Sequence, residues 1–432
     1  MLTLRILILV DCYLPSTKAS GKLVHDLAVE LRRRGHEPVV LTPSDAIEGT
    51  SQLRVEDGIT VLRVRAGQIK GAAKLQRAIR EARLSATLWR GTGNYLRENP
   101  CDLILFYSPT IFFGPLVARL KKLWRCPAYM ILRDIFPDWA VDAGVLRRGL
   151  IYRYFRRVAE AQYRAADLIA VQSESNRAHF ATNFPGERFR IEVLLNWTAP
   201  VDQRRPSPEW RRRLGLAGKI VFFYGGNIGI AQDMDNLMRL AANFAANPSV
   251  AFLFVGEGSE VARLQKAIAS RSITNVQILP SVAQDDYLAM VSEFDVGLIS
   301  LDARLKSHNV PGKLMSYLNW GLPVLASLNP GNDLFALLES SGAGFCIRNG
   351  DDDGLFRLAS AMASDSALRA TMSRNARRLL DETFSVANAV DSIFHHLASH
   401  SLLSLPPEAR AVAHSGAETS SETPHHALAA KN

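Results

Sequence analysis

Val221-Phe222-Phe223-Tyr224-Gly225-Gly226-Asn227-Ile228-Gly229 is an apolar run that ends in a glycine turn. A buried strand followed by glycines turns backbone N–H groups toward the start of the next helix, which is how a phosphate is cradled. Further along stands Val310-Pro311-Gly312-Lys313-Leu314-Met315-Ser316-Tyr317-Leu318-Asn319-Trp320-Gly321-Leu322-Pro323-Val324-Leu325-Ala326. Pro311 suits the opening of a helix and Gly321 its end, with a buried strand to follow. Lys313 then falls in the first helical turn. Together the two stretches predict one crevice for a nucleotide diphosphate, with a cation to balance its charge.

Outward from these stretches, short apolar runs alternate with helix-length segments. Strands are expected over 4–10, 38–41, 59–62, 103–107, 128–132, 168–171 and 191–195, then over 220–224, 250–255, 276–279, 296–299, 323–326 and 344–347. Helical patterns occupy 23–34, 72–98, 152–166, 235–246, 259–269 and 285–293. Continuous apolar strands separated by helices imply parallel sheets covered on both faces. Two such series predict an α/β chain of two doubly wound, Rossmann-like domains, over 1–198 and 199–385. The join falls near Asn196-Trp197-Thr198-Ala199-Pro200, and Ser207-Pro208-Glu209 reads as an N-cap. A last helix is expected within 386–404, and the small, polar 405–432 is expected to be disordered.

A length of 432 residues, 47% of them hydrophobic and 22% charged, suits two globular domains with large cores. Cys12, Cys101, Cys126 and Cys346 are widely spaced, so neither a zinc site nor a disulfide framework is expected, and a reducing compartment fits. The apolar run at the start is too short for a signal peptide and no window is long enough to span a membrane, which predicts a cytoplasmic chain. Charge is divided unevenly. Residues 1–200 carry 30 basic against 19 acidic side chains, and the remainder 21 against 23. A basic first half suggests an anionic partner (phospholipid, a lipid pyrophosphate or nucleic acid), or else a solvated basic surface with none. No nucleic-acid-binding motif is present, so nucleic acid is not expected. Residues 70–90, Ile111-Phe112-Phe113 and Lys121-Lys122-Leu123-Trp124-Arg125 have the composition of a membrane-surface contact, or equally of packed, solvated helices.

In open α/β domains ligands bind at the carboxyl ends of the strands. The loop after the first strand, Leu14-Pro15-Ser16-Thr17-Lys18-Ala19-Ser20-Gly21-Lys22, has small residues that admit a phosphate or sugar, Gly21 among them. Asp233-Met234-Asp235 has the form of a metal-binding DxD, but at a helix start acids serve the dipole and free N–H groups. Asp351-Asp352-Asp353 reads as a cap in the same way.

The order of that loop, Leu31-Arg32-Arg33-Arg34-Gly35-His36, Tyr224 to Gly229, Phe254-Val255-Gly256-Glu257-Gly258 and Pro311 to Val324 resembles the family 4 (group 1) glycosyltransferases of bacterial surface polysaccharide assembly, over roughly 1–400. Arg133-Asp134-Ile135-Phe136-Pro137-Asp138-Trp139-Ala140, Asn309-Val310-Pro311-Gly312-Lys313 and Gly331-Asn332-Asp333 are similar to a narrower branch that includes N-acetyl-L-fucosaminyl transferases of O-antigen synthesis. The resemblance implies a GT-B fold, two domains facing across a cleft with a C-terminal helix packing back. It implies retention of anomeric configuration, a UDP-sugar donor, no essential metal or other cofactor, and a polyprenyl-pyrophosphate-linked acceptor met at the inner face of the plasma membrane.

On that resemblance Lys313, with the amides of Gly226, Asn227 and Gly229, holds the diphosphate, and Lys306 and Arg304 are reserve cations. The family's two glutamates correspond to His308 and Ser316, so its carboxylate contacts to ribose and donor sugar do not carry over. Ser316 is left to hydrogen-bond, with Glu257 or Asp333 in a carboxylate's role and His308 as a ligand contact. The lysine usual after the glycine turn is missing, with Gln232 nearby. Arg133 is assigned to the acceptor's pyrophosphate and Asp134 to a hydroxyl, a strand-end salt bridge being the alternative. A UDP-sugar 2-epimerase of the same fold, a dinucleotide-dependent oxidoreductase and a non-catalytic sugar-nucleotide-binding protein stay open as other readings.

Overall fold

The computed structural model describes residues 3–16, 19–67, 80–142, 145–200, 209–271, 273–305 and 310–403. Lys306, His308, residues 70–79, the Ser207-Pro208 cap and the 405–432 tail lie outside them. The chain builds two sheets. The first has eight strands in the order β3-β4-β2-β1-β5-β6-β7-β8, and the second has six in the order β11-β10-β9-β12-β13-β14. The first comprises β1 (Arg5–Leu9), β2 (Glu37–Pro43), β3 (Ser51–Glu56), β4 (Ile59–Val64), β5 (Leu103–Ser108), β6 (Ala128–Leu132), β7 (Leu168–Val171) and β8 (Ile191–Val193). The second comprises β9 (Ile220–Gly225), β10 (Val250–Val255), β11 (Val276–Leu279), β12 (Val296–Ser300), β13 (Val324–Leu328) and β14 (Gly344–Arg348).

Every pairing is parallel except that of β3 with β4. Strand β3 escapes the sequence pattern for a physical reason. It is a mostly exposed edge with Leu53 and Val55 turned to solvent, so it lacks the buried apolar run that marks the others. The inner strands β5, β6, β10 and β13 are buried throughout, because helices cover both faces of each sheet.

Each sheet reverses strand order next to its first strand, at β1/β5 and at β9/β12. Such switch points open a crevice at the carboxyl ends of the strands. The chain crosses between the two halves twice, side by side. Thr198 N donates to Phe384 O at 2.9 Å and Val386 N to Thr198 O at 3.1 Å. The Val386–Ser399 helix then packs on the first half, where Val390, Ile393 and Leu397 join Trp197 and β1 in one buried cluster. Arg34 pairs with Asp391 and donates to Ala387 O at 2.8 Å, while the Tyr129 hydroxyl meets His396 Nδ1 at 2.9 Å. Burial pushes the His396 pKa down to about 4, so this contact is made by a neutral imidazole at neutral pH.

One of the candidate membrane contacts is core instead, while in the Lys121–Arg125 stretch Lys122, Leu123 and Arg125 stay exposed. Ile111, Phe112 and Phe113 are buried because they open the Gly114–Trp124 helix against the Leu84–Glu98 helix. Lys121 pairs with Asp167 at 2.9 Å, and Trp124 Nε1 donates to Leu96 O at 2.9 Å. All four cysteines are free thiols, buried or partly buried.

Candidate active site at the strand ends

On the second sheet, β9 runs into Gly225-Gly226 and meets the loop after β10. Gly256 and Gly258, with φ of +156° and +157°, press against the carbonyls of Gly226 and Ile228; a Cβ would fall 1.8 and 2.1 Å from those oxygens. Only glycine permits this interleaving. Gly226 N donates to Val255 O at 2.9 Å, Ile228 N to Glu257 O at 2.8 Å, and Gly229 N to Gln232 Oε1 at 3.2 Å. This corrects the assignment of three amides to a diphosphate. The Gly226 and Gly229 amides are engaged within the protein, and of the three only that of Asn227 has no partner among the described residues. Gln232 also accepts from Asn227 Nδ2 at 2.8 Å, so the residue beside the missing lysine braces the turn.

Lys313 begins the Lys313–Asn319 helix. Its Nζ stands 3.3 Å from the centroid of the buried Tyr224 ring. A Cβ on Gly226 would lie 3.7 Å from that same Nζ, so the ammonium sits at the glycine turn. No carboxylate among the described residues pairs with it, and desolvation pushes its pKa well below the ordinary lysine value. The residue keeps part of its surface open. A glycine turn with the Asn227 amide idle and a cation held by an aromatic face make a receptor for a dianion.

Tyr287 completes this crevice and was not visible in the sequence. Its ring covers Gly225, where a Cβ would come within 2.4 Å of Cε2. Burial raises its phenol to about 12, and the Ser316 hydroxyl lies within hydrogen-bonding reach. Ser316, in the place of the family glutamate, therefore has a phenol for a neighbour. Glu257 is exposed beside the turn, and Asp333 is half-buried before the Leu334–Ser341 helix. Asn332 stabilises that helix start by accepting from Leu334 N at 3.1 Å. Arg304 is exposed and committed to Asp302, so it is not a free reserve cation here. Asp233 forms no side-chain cap; its carboxylate takes Asn349 Nδ2 at 3.1 Å, and Asp235 pairs with Arg263 at 2.9 Å. Asp351 does cap its helix through Gly354 N.

On the first sheet, Arg133 follows β6 directly. It turns inward, with Nη1 donating to Leu194 O at 2.9 Å and the guanidinium 4.9 Å from the Trp197 ring and 5.7 Å from the Tyr107 ring. Its Nε and Nη2 are buried with no hydrogen-bond partner. Asp134 forms no salt bridge with it; desolvation raises its pKa while the Arg133 charge opposes the rise. Gly21 lies in the Ala19–Arg33 helix, where a Cβ would stand 3.4 Å from the Tyr13 carbonyl carbon, an ordinary contact, so the packing against the loop after β1 does not require glycine. That loop walls a cavity of about 390 Å³ lined by Asp11, Tyr13, Ser16, Ser44, Asp45 and Arg63 among others. Only the Ser16 side of it was flagged by sequence; Ser44, Asp45 and Arg63 come from β2 and β4 and are joined to it by the fold.

Residues 19–197 match the family described as glycosyl transferase 4-like domain, and 206–379 the family described as glycosyl transferases group 1. The chain belongs to the group 1, family 4-like glycosyltransferases. A probable glycosyltransferase, WbjE, of Pseudomonas aeruginosa is 26% identical over 53% of this chain and 58% of its own length. The chain thus spans less than two thirds of that relative. A putative colanic acid biosynthesis glycosyl transferase, WcaI, of Escherichia coli is 23% identical over 78% of this chain and 86% of its own. A GDP-mannose-dependent alpha-mannosyltransferase of Mycobacterium tuberculosis is 24% identical over 66% and 71%. Among solved structures, the glycosyltransferase shares its fold with sucrose-phosphate synthase of Thermosynechococcus elongatus (TM-score 0.67, 15% identity, 92% and 99% covered). Anabaena HepE in complex with UDP aligns with TM-score 0.62 at 20% identity, covering 91% and 100%. The fold is GT-B.

Proposed function

We propose that the enzyme moves a sugar, with retention of configuration, from a UDP-sugar to a polyprenyl-pyrophosphate-linked acceptor in surface polysaccharide synthesis. The observation that carries this reading is Lys313, an ammonium without a carboxylate partner among the described residues, poised at the Gly225-Gly226 turn. A diphosphate supplies the missing charge, and as leaving group it gains negative charge during transfer, where a fixed cation acts most strongly. The Asn227 amide adds one donor. HepE, a neighbour in fold, is described with UDP, which supports uracil as the base. N-Acetyl-L-fucosamine is the proposed sugar, on the resemblance of the Arg133–Ala140 and Asn309–Lys313 stretches. Ser316 and Tyr287 take the ribose or sugar hydroxyls that a glutamate holds elsewhere in the family.

On the first domain the strand-end cavity belongs to the acceptor, and Arg133 is assigned to its pyrophosphate on the family resemblance; the guanidinium is packed inward on Trp197 and Tyr107, so that contact requires the side chain to turn out. The enzyme works at the inner face of the plasma membrane. None of the described helices is long and apolar enough to cross a membrane, so attachment would be peripheral. The test is UDP release from UDP-N-acetyl-L-fucosamine in the presence of lipid-linked acceptor, with a panel of UDP-sugars and GDP-mannose beside it. Acceptor-dependent release, with the α-linkage or β-linkage of the donor preserved in the product by NMR, is the expected result. Because Lys313 rather than a metal meets the diphosphate, excess EDTA is expected to change the rate by less than about twofold, against the several kcal/mol a catalytic ion supplies. A collapse of activity restored by Mg²⁺ or Mn²⁺ would sink the metal-free assignment.

A further inference from the structure

Apart from the β3 edge, exposed apolar side chains of the first domain are concentrated in one stretch of chain. Val145, Leu150 and Ile151 expose 74%, 77% and 63% of their surface, and Tyr154 and Trp139 about half. Ring contacts link its two exposed aromatics: Trp139 meets Phe136 at 6.2 Å, Phe136 meets Phe155 at 5.2 Å, and Phe155 meets Tyr154 at 5.4 Å, while Val145 N donates to Ala140 O at 2.9 Å beside Trp139. Exposed apolar residues are ordinarily scattered singly, and a contiguous patch marks a surface that something covers. The Leu150–Ala165 helix is itself anchored, burying Tyr152, Ala159, Gln162 and Tyr163 on its other face.

Charge specifies the cover. Residues 145–158 contain no acidic residue and five arginines. Arg156 is committed to Glu160 and to the carbonyl of Asn183. Arg147, Arg148, Arg153 and Arg157 are exposed, and none forms an ion pair among the described residues. Aliphatic tips at a helix start, two amphipathic rings and a ring of unpaired arginines match the boundary of an anionic bilayer. We propose that residues 145–157, with Trp139 beside them, form the surface by which this glycosyltransferase docks on anionic lipid. The proposal rests on the lipid-linked acceptor reading above. It also fits the chain path, since β6 leads through Arg133 and Asp134 straight into Phe136 and Trp139. A pyrophosphate presented at the lipid headgroups then meets the strand end that carries Arg133.

The experiment floats the full chain with vesicles of phosphatidylcholine, alone or with about 30% phosphatidylglycerol, the anionic surface attracting each nearby arginine. Binding is expected on the anionic vesicles, weakening with salt. The double variant Leu150→Ser/Ile151→Ser and, separately, Arg147→Ser/Arg148→Ser should each bind at least about tenfold more weakly, with UDP affinity unchanged. Blue-shifted fluorescence on binding, lost in Trp139→Phe, would place that ring in the interface. Variants that float as well as the native chain would overturn the proposal, as would a native chain that ignores anionic vesicles while still transferring sugar to detergent-dissolved acceptor. The acceptor reading stands or falls separately, on UDP release driven by that dissolved acceptor. Capture of an acidic protein in place of lipid would also overturn the docking assignment.

Discussion

Lys313→Ala is expected to lower kcat/KM for the nucleotide-sugar donor by about 10²–10³-fold, roughly 3–4 kcal/mol, the size of loss seen when one fixed charge-stabilising group is removed. The fold should survive. A desolvated ammonium with no carboxylate partner is a cost to the empty protein, so its removal relieves the folded state. Lys313→Met keeps the length of the chain over the Tyr224 ring, and is expected to match the alanine variant in activity while melting no lower than the native protein. Normal turnover in either variant would remove Lys313 from the diphosphate site.

The depressed pKa of Lys313 gives a second signature. In the unfolded chain the ammonium holds its proton to the usual lysine pKa, while in the empty folded protein it loses it at lower pH. Between those two values the unfolded state binds more protons, so the Lys313 contribution makes stability rise with pH across that window and is flat above it. A bound diphosphate restores the charge and raises the pKa again. UDP binding is therefore coupled to proton uptake, and UDP affinity is expected to fall as pH rises through the lowered pKa. Calorimetry in buffers of different ionisation enthalpy reads the uptake directly, and the Met variant should lose it.

The parallel strands were legible because continuous apolar runs have few other readings in a chain of this length. The 128–132, 168–171, 250–255 and 276–279 runs match β6, β7, β10 and β11 to the residue. The glycine turn and Lys313 were legible for a related reason: Gly256, Gly258 and Gly226 are each required by a close approach or a positive φ, and the lysine sits in the first turn of a helix that Gly321 ends. What stayed hidden is what only packing brings together. Tyr287 reaches Gly225 from a helix two strands away, and the strand-end cavity joins loops after β1, β2 and β4. Amide bookkeeping was also invisible, because whether Gly226 N–H is free depends on where Val255 O lies. The apolar patch at 145–157 reads in sequence like any amphipathic helix start, and exposure alone separates it from core.

Arg133→Met is expected to cut acceptor-dependent transfer by about 100-fold, near 2.7 kcal/mol for a lost fixed cation, while leaving UDP binding intact. Stability should hold or rise by about 1–2 kcal/mol, since a well-packed apolar side chain often replaces a buried ion without loss. Arg133 gains one charged hydrogen bond to Leu194 O, roughly 1.5–3 kcal/mol, and contacts with Trp197 and Tyr107 of roughly 0.5–2 kcal/mol each. Against this stand the several kcal/mol of burying an ion and two donors, Nε and Nη2, that no protein group accepts. Both donors are closed off from solvent, so an anion reaches them only when the guanidinium swings out from Trp197. Arg133→Lys is the sharper control, because a lysine keeps the charge and loses the fork that suits a pyrophosphate. It should recover only a small part of the lost rate, with KM for the lipid acceptor raised. Full transfer by the Met variant, or loss of stability in step with loss of rate, would assign Arg133 to the packing of Trp197 and take the acceptor's pyrophosphate away from it.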